Sequence, residues 1–486
     1  MRNRLFLFLS FLVIVLISCS DDHSSFRISG KNLASADLDV LRKRGKIIAV
    51  TDFNSTNYFI YKGEPMGFSF ELLRSFADHA GIDLEIVTEN HIERAIGMLN
   101  SGEADIIAMG ITVNSTRKKE ILFTEPIDET RQVLIQRKPR FWKSMTASEI
   151  DRRLIRNQLD IAGRTVYVQK GSSHAERLVT LADEIGDSIN VIEVPYESEQ
   201  LIRNVARGEI DYTVCDENVA LVNATYYPEI DINTPVSFPQ KLAWGVRKEN
   251  SDKLIEELNR WIRIYRKTGS FGLLHSKYFR NSRSSTIIRS DYYALNTGKV
   301  SKYDDLIKEY SDTINWDWRL LASLICQESR FDPNVRSGAG AYGLMQVMPL
   351  TGKRFGIDVT TSPKNNIKAG VMYINWLHSV FDPKIEDENE RLNFILASYN
   401  AGPGHVFDAM KLADKHGMDP HKWADVEIWL QKKSEPRYYN DEVVKSGYFK
   451  GKESVAFVSE ILDRYEHYKN ILPEELTSEE MLSSNR

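Results

Sequence analysis

Leu99-Asn100-Ser101-Gly102-Glu103-Ala104-Asp105-Ile106-Ile107-Ala108 is matched in pattern by Val205-Ala206-Arg207-Gly208-Glu209-Ile210-Asp211-Tyr212-Thr213-Val214. Each stretch reads as the end of a helix, a glycine stop and a strand, because glycine enters the left-handed conformation that closes a helix without a Cβ clash. Two copies of one such unit, roughly a hundred residues apart, predict two similar α/β lobes with a crevice between them. A crevice of this kind is the usual place for a small ligand. Outward from the echo, strand-like runs alternate with helical patterns: Lys46–Val50, Leu84–Val87, Asp105–Ala108, Gln132–Gln136, Thr165–Val168, Val191–Val194 and Asp211–Cys215. That alternation is the mark of an α/β fold.

The chain has 486 residues, and at ~100 to 200 residues per domain it calls for at least two folding units. Its 63 basic and 68 acidic residues are interspersed, with a net charge of −5. No basic stripe marks a nucleic-acid partner, and none is expected. Arg2 and Arg4 precede an apolar run from Leu5 to Ile17, broken only by Ser10; it is too short to span a bilayer comfortably and reads as a secretion signal. The run ends at Leu16-Ile17-Ser18-Cys19, which resembles the lipobox of bacterial lipoproteins. That resemblance implies cleavage before Cys19 and its lipidation, and Ser20 in place of Asp after the Cys implies the outer membrane, facing the periplasm. Cys215 and Cys326 lie far apart, in different predicted domains, and are expected to be buried free thiols rather than a disulfide.

From Lys302 to about Asn470 the pattern turns helical, most clearly over Lys302–Tyr310, Trp316–Arg330, Ile367–Phe381, Glu390–Tyr399 and Glu453–Tyr468. Leu321, Leu324, Ile325 and Glu328 fall at i, i+3, i+4 and i+7, which puts a carboxyl group on the apolar stripe of an amphipathic helix. Burial disfavours the ionised form, so such a group stays protonated near neutral pH and donates to a leaving oxygen. On this pattern alone a general acid and a buried Glu paired with a Lys or Arg stand level. Gly338-Ala339-Gly340-Ala341-Tyr342-Gly343-Leu344-Met345-Gln346 is a glycine-rich turn entering a helix, where missing side chains let a bulky polymer approach. Ala397-Ser398-Tyr399-Asn400-Ala401-Gly402-Pro403-Gly404 ends a helix abruptly, so that Tyr399 and Asn400 project at its end.

Residues Leu41 to Arg280 resemble the family 3 extracellular solute-binding proteins, best over Gly110-Ile111-Thr112-Val113-Asn114-Ser115-Thr116-Arg117 and Phe123-Thr124-Glu125-Pro126. The resemblance implies a two-lobed, type II periplasmic-binding-protein-like domain. It makes Arg117 the clamp for a ligand carboxylate, helped by Thr112, with Ser173 in Gln169-Lys170-Gly171-Ser172-Ser173 and Asp216 for the ligand amine. Its ligand would be an amino acid or a muropeptide. Taken singly, Arg117 and Asp216 would serve equally as scaffold ion pairs. His79, His91 and His174 show no metal-like clustering and receive no role.

Glu328-Ser329, Gly343-Leu344-Met345-Gln346 and Tyr399-Asn400-Ala401-Gly402, in this order, resemble the family 1 lytic murein transglycosylases of goose-lysozyme-like, all-α fold. A fourth element, a Tyr after a Glu-Thr-Arg-like turn, is met by Glu435-Pro436-Arg437-Tyr438-Tyr439, with Tyr439 at the family position. The match is looser there, since Pro436 stands for Thr and Asn440 for an apolar residue. The resemblance implies that Glu328 is the single acid/base cutting peptidoglycan glycan strands between N-acetylmuramic acid and N-acetylglucosamine. It implies that Ser329, Gln346 and Tyr399 position the sugar or Glu328, and that Gly343, Met345, Asn400 and Tyr439 belong to the substrate groove. No metal or organic cofactor is implied.

The resulting plan is a signal peptide at 1–18, a linker at 19–40, the solute-binding domain at 41–280, a linker at 281–300, the transglycosylase domain at 301–472 and a polar tail at 473–486. The alternatives are a lysozyme-type hydrolase and a non-catalytic envelope sensor or receptor. Hydrolysis normally needs a second carboxyl group, and none recurs in the motifs.

Overall fold

The computed structural model describes residues 37–279 and 298–472, and all its hydrophobic cores lie between Leu38 and Tyr468. The leader, Cys19, most of the 281–300 linker and the tail lie outside the described residues. No described helix is long and apolar enough to cross a membrane.

The first half is built on two sheets. In the first lobe the order is β4-β1-β5-β13-β6, made of β1 (Lys46–Thr51), β4 (Asp83–Thr88), β5 (Ile106–Thr112), β6 (Leu122–Phe123) and β13 (Gln240–Val246), with β7 (Asp128–Thr130) also pairing β13. In the second lobe the order is β10-β9-β11-β8-β12, made of β8 (Gln132–Arg137), β9 (Thr165–Gln169), β10 (Asn190–Val194), β11 (Tyr212–Asp216) and β12 (Ile230–Pro235). The chain crosses between the lobes twice, from β7 into β8 and from β12 into β13. Helices α1 (Leu38–Arg44), α2 (Phe68–Ala80), α3 (Ile92–Ser101), α4 (Ala147–Asp151), α5 (Ser173–Ile185), α6 (Ser198–Arg207), α7 (Glu217–Ala224), α8 (Asp252–Tyr265) and α9 (Gly269–Phe279) flank the strands.

All seven expected strands form, and the internal echo is structural. Helices α3 and α6 stop on Gly102 and Gly208, both left-handed, and lead into β5 and β11. At Gly208, with φ of +78°, the left-handed backbone favours glycine, and any Cβ there would also displace the Arg137 guanidinium.

The second half is helical: α10 (Asp304–Ser311), α11 (Trp318–Ser329), α12 (Pro349–Arg354), α13 (Pro363–Phe381), α14 (Glu388–Ala401), α15 (Pro403–Lys415), α16 (Trp423–Lys432), α17 (Pro436–Tyr439) and α18 (Gly451–Ile471). Asp317 caps α11 by accepting from the Arg319 N–H, and Leu321, Leu324 and Ile325 are wholly buried, as their spacing requires. Val300, at the end of the expected linker, is wholly buried in this helical core.

Unforeseen in the sequence is a seam between the halves. Strands β2 (Phe59–Tyr61) and β3 (Glu64–Met66) form a hairpin, and its Ile60 joins the helical core. The Gly63 carbonyl at its tip accepts from the Tyr468 hydroxyl at 2.8 Å. Tyr58 Oη lies 2.7 Å from His467 Nδ1, and Asn470 Nδ2 donates to the Ile86 carbonyl. Helix α18 thus lies along the hairpin and the edge strand β4.

Candidate functional site

Glu328 continues the apolar stripe of α11 and is itself half-buried, and its pKa is pushed up to about 8 by desolvation alone. No neighbouring charge contributes to that shift, so the carboxyl is held protonated at neutral pH. Tyr399, on α14, feels the charge of Glu328 and is itself raised well above the ordinary tyrosine value, chiefly by burial. Its hydroxyl donates to the Met345 carbonyl at 2.8 Å. The turn that presents that carbonyl is stitched by Asn366 of α13. Asn366 accepts from the Met345 N–H at 2.8 Å and donates to the carbonyls of Tyr342 and Val359 at 2.7 and 3.2 Å.

Several sequence assignments change in detail. Met345 does not line a groove with its side chain; it is wholly buried, with its sulfur filling the space beside Gly370. Ser329 turns its hydroxyl back onto its own helix, donating to the Ile325 carbonyl at 3.1 Å, because a serine on a helix reaches the preceding turn more easily than its neighbour in sequence. Gly343 has φ of +77° and the Asn366 amide 2.5 Å from where a Cβ would stand, so internal packing already requires glycine. The turn does not run straight into a helix: Tyr342 bridges Val347, and α12 begins only at Pro349. Gln346 donates to the Val335 and Gly343 carbonyls at 3.1 and 2.9 Å, which holds it at φ of 45°.

Asn400 is exposed and accepts from the Ser454 hydroxyl, tying α14 to α18. Tyr438 is buried against Trp429, whereas Tyr439 is half-buried and meets Tyr448 edge to face at 5.6 Å. Tyr373, which the sequence reading missed, packs on Tyr399 at 5.4 Å and stacks on Trp376 at 5.6 Å. Its only sequence signal was its place in the helical pattern of α13.

In the first half, Thr112, Arg117, Ser173 and Asp216 come together around one chamber of the interlobe cleft, although they lie on four different segments. The ends of β9 and β11 and the start of α5 converge there, as strand ends do in α/β folds. Burial lowers the Arg117 pKa, and its guanidinium donates to the Thr112 carbonyl at 3.4 Å. Among the described residues no carboxylate lies within ion-pair distance of it. Ser172 Oγ, His174 Nδ1 and Asp216 Oδ1, all in residues lining this chamber, are buried without a hydrogen bond, and His174 Nε2 stands 3.6 Å from Asp216 Oδ1. Unmet donors and acceptors of this kind suit a ligand with one acidic and one basic end.

A larger cavity of about 600 Å³ adjoins it, lined by Asp52, Asp128, Glu197 and Glu199, none of which the sequence singled out. Burial pushes Asp52 up to about 7 and raises Glu197 and Glu199. Glu199 of the second lobe accepts from the Ser55 N–H of the first at 2.9 Å, so the lobes touch across the cleft. Asp52 follows β1 as Asp216 ends β11, and its place at a strand end was the available signal.

A model of the Transglycosylase SLT domain matches residues 305–421, and one of the bacterial extracellular solute-binding proteins, family 3, matches residues 46–281. A membrane-bound lytic murein transglycosylase F of Desulfosudis oleivorans is 35% identical over 431 residues, covering 88% of this chain and 91% of that protein. One from Pseudomonas fluorescens is 29% identical over 457 residues, covering 92% and 90%. Among solved structures, a mutant of the arginine-binding protein ArgBP from T. maritima is 25% identical, covers 50% of this chain and 99% of its own, and has a TM-score of 0.42.

Proposed function

Because the chain belongs to the membrane-bound lytic murein transglycosylase F family and is a lytic murein transglycosylase, we propose that Glu328 is its one acid/base. The protonated carboxyl gives its proton to the glycosidic oxygen between N-acetylmuramic acid and N-acetylglucosamine, and the bond to the muramyl anomeric carbon breaks. The carboxylate then takes the proton of the muramyl C6 hydroxyl as that oxygen bonds to the same carbon, leaving a 1,6-anhydromuramyl end. An attached nucleophile has a high effective molarity, so no activated water is needed. The observation that carries this reading is a half-buried carboxyl on the apolar stripe of α11 whose pKa desolvation lifts to about 8. A hydrolase would need a second carboxyl group about 5 to 9.5 Å away. Tyr399, Gln346, Asn400 and Tyr439 are the residues proposed to hold the glycan, with Ser329, Gly343 and Met345 supporting them from behind.

The test is mass spectrometry of the soluble products released from isolated peptidoglycan sacculi, with Glu328→Gln beside the parent. Anhydro ends from the parent alone support the reading. Ordinary reducing ends would move the chain to hydrolysis, and no products from the parent would favour a binding protein.

For the solute-binding half we propose an amino acid or muropeptide ligand, its carboxylate on Arg117 and Thr112 and its amine on Asp216, with Ser173 beside them, that regulates cleavage. The loop of residues 52–57 lines the cleft and continues into the β2–β3 hairpin, whose tip lies against Cys326, two residues before Glu328. A ligand that favours one lobe arrangement therefore has a packed route to α11. Calorimetry with stem peptides on Arg117→Ala should show binding lost with ligand-free cleavage unchanged; binding that persists would sink the clamp. Residues 41–280 and 301–472 are proposed as the two domains, and lipid on Cys19 as the outer-membrane anchor, testable by labelled fatty acid incorporation into the parent but not Cys19→Ala.

A further inference from the structure

We propose that the turn Arg137–Lys143, at the outer pole of the second lobe, docks on the surface of an anionic phospholipid bilayer. Strand β8 starts at Gln132, whose amide reaches Ser173 beside the ligand chamber, and runs six residues away from the cleft to Arg137. At ~3.3 Å per residue the turn stands about 17 Å from the cleft edge, so it is no part of the ligand site.

The turn combines two features the fold does not need. Phe141 is 74% exposed, and its φ is 63°, a left-handed conformation that is a genuine outlier for a bulky residue. Glycine there would remove both the strain and the exposed ring. Backbone strain kept together with an exposed aromatic is a sign of use.

The turn is also preformed. The Pro139 carbonyl accepts from the Trp142 N–H at 3.0 Å, and the Phe141 carbonyl accepts from the Ser144 N–H and hydroxyl at 3.0 and 2.8 Å.

Cations surround the two rings. The Arg140 guanidinium lies 5.6 Å from the Phe141 ring centre, and the Lys138 and Lys143 ammonium groups lie 4.5 and 5.8 Å from that of Trp142. Arg137 and Arg153 line the same concavity, with Asp211 and Glu229 as its acidic members. Residues 137–156 hold seven Lys and Arg against two acidic residues, in a chain whose net charge is −5.

An aromatic doublet ringed by cations matches the interface of an anionic bilayer, where rings sit at headgroup depth and each nearby cation gains from the surface potential. The rest of the chain, being acidic, would be repelled, so this turn would set the orientation of the second lobe.

The test uses the soluble chain from Ser35 onward, which holds every core described, sedimented with vesicles of phosphatidylcholine alone or with phosphatidylglycerol added. The parent should partition to the mixed vesicles about tenfold more and lose that preference near ~1 M salt. Phe141→Gly should melt no lower than the parent yet bind several-fold less, and Arg140→Glu with Lys143→Glu should do the same. Equal partition to both vesicle types would overturn the proposal, as would unchanged binding by both variants. Loss of binding to isolated sacculi in the variants, with vesicles ignored by the parent, would overturn it in favour of a murein contact.

Discussion

The Tyr468 hydroxyl donates to the Gly63 carbonyl at 2.8 Å, joining the last helix of the chain to the tip of a hairpin in the solute-binding half. The contact leaves no slack. A Cβ at Gly63, where φ is +78°, would lie 2.6 Å from Phe331, 2.7 Å from the Cys326 sulfur and 2.7 Å from Tyr468 Oη.

Gly63→Ala should therefore cost ~1–3 kcal/mol through overpacking and backbone strain together. Thermal unfolding is expected to shift down and to split into separate transitions for the two halves. A single unshifted transition would mean that the hairpin tip is not a coupling contact.

Glu328→Gln should abolish cleavage, by about 10²–10⁴-fold for loss of a general acid, and the parent rate should fall as pH rises through about 8. Stability should move the other way in the variant. The folded-state pKa lies above the ordinary 4.5, so the stability that the protonated carboxyl contributes is full below 4.5 and lost as pH rises to about 8. Glutamine is neutral throughout. Its melting advantage should open between those limits and then stay constant, on the order of a few kcal/mol. A pH-independent difference would argue that Glu328 is ordinarily ionised.

Tyr399→Phe removes the donor to the Met345 carbonyl. The fold should lose ~1–3 kcal/mol for the unsatisfied acceptor. Displacement of the turn beside Glu328 should lower kcat by about tenfold to a hundredfold, with a smaller change in KM. Steady-state kinetics on soluble glycan fragments would check the split, and an effect confined to KM would make Tyr399 a binding group only.

Lys433 is wholly buried, with Nζ 2.7 Å from Asp408 Oδ2 and 3.0 Å from His405 Nδ1, and Asp408 also accepts the N–H groups of Lys445 and Ser446. This knot pins the loop that carries Tyr448 against Tyr439. Lys433→Met should cost ~3–5 kcal/mol by stranding a buried carboxylate, and adding Asp408→Asn should recover part of it. Chemical denaturation of the three variants measures both steps; equal midpoints would show that the pair carries little of the loop's anchoring.

Local rules made much of the architecture legible. Gly102 and Gly208 announce helix stops because only a residue without a Cβ turns left-handed cheaply, and alternating runs such as Gln132–Gln136 announce strands because side-chain period follows backbone geometry. The same periodicity placed Glu328 on a buried stripe. What the chain decides through distant packing was not legible. Asp52, Glu197 and Glu199 meet around one cavity only after two lobes fold and approach, and Asn366 gains its part from a turn some twenty residues earlier in the chain.

The sequence by itself determined the strands, the helices, the echo and the pairing of a ligand-binding half with a glycan-cutting half, because these rest on short-range spacing and on motifs. Only the tertiary structure decided that Met345 faces the core, that Ser329 turns to its own helix, that desolvation rather than a neighbouring charge shifts Glu328, and that Gly63 abuts Cys326. Burial and electrostatic environment are properties of what surrounds a side chain, and those surroundings exist only once separate segments have packed, some of them, like Gly63 and Cys326, far apart in the chain.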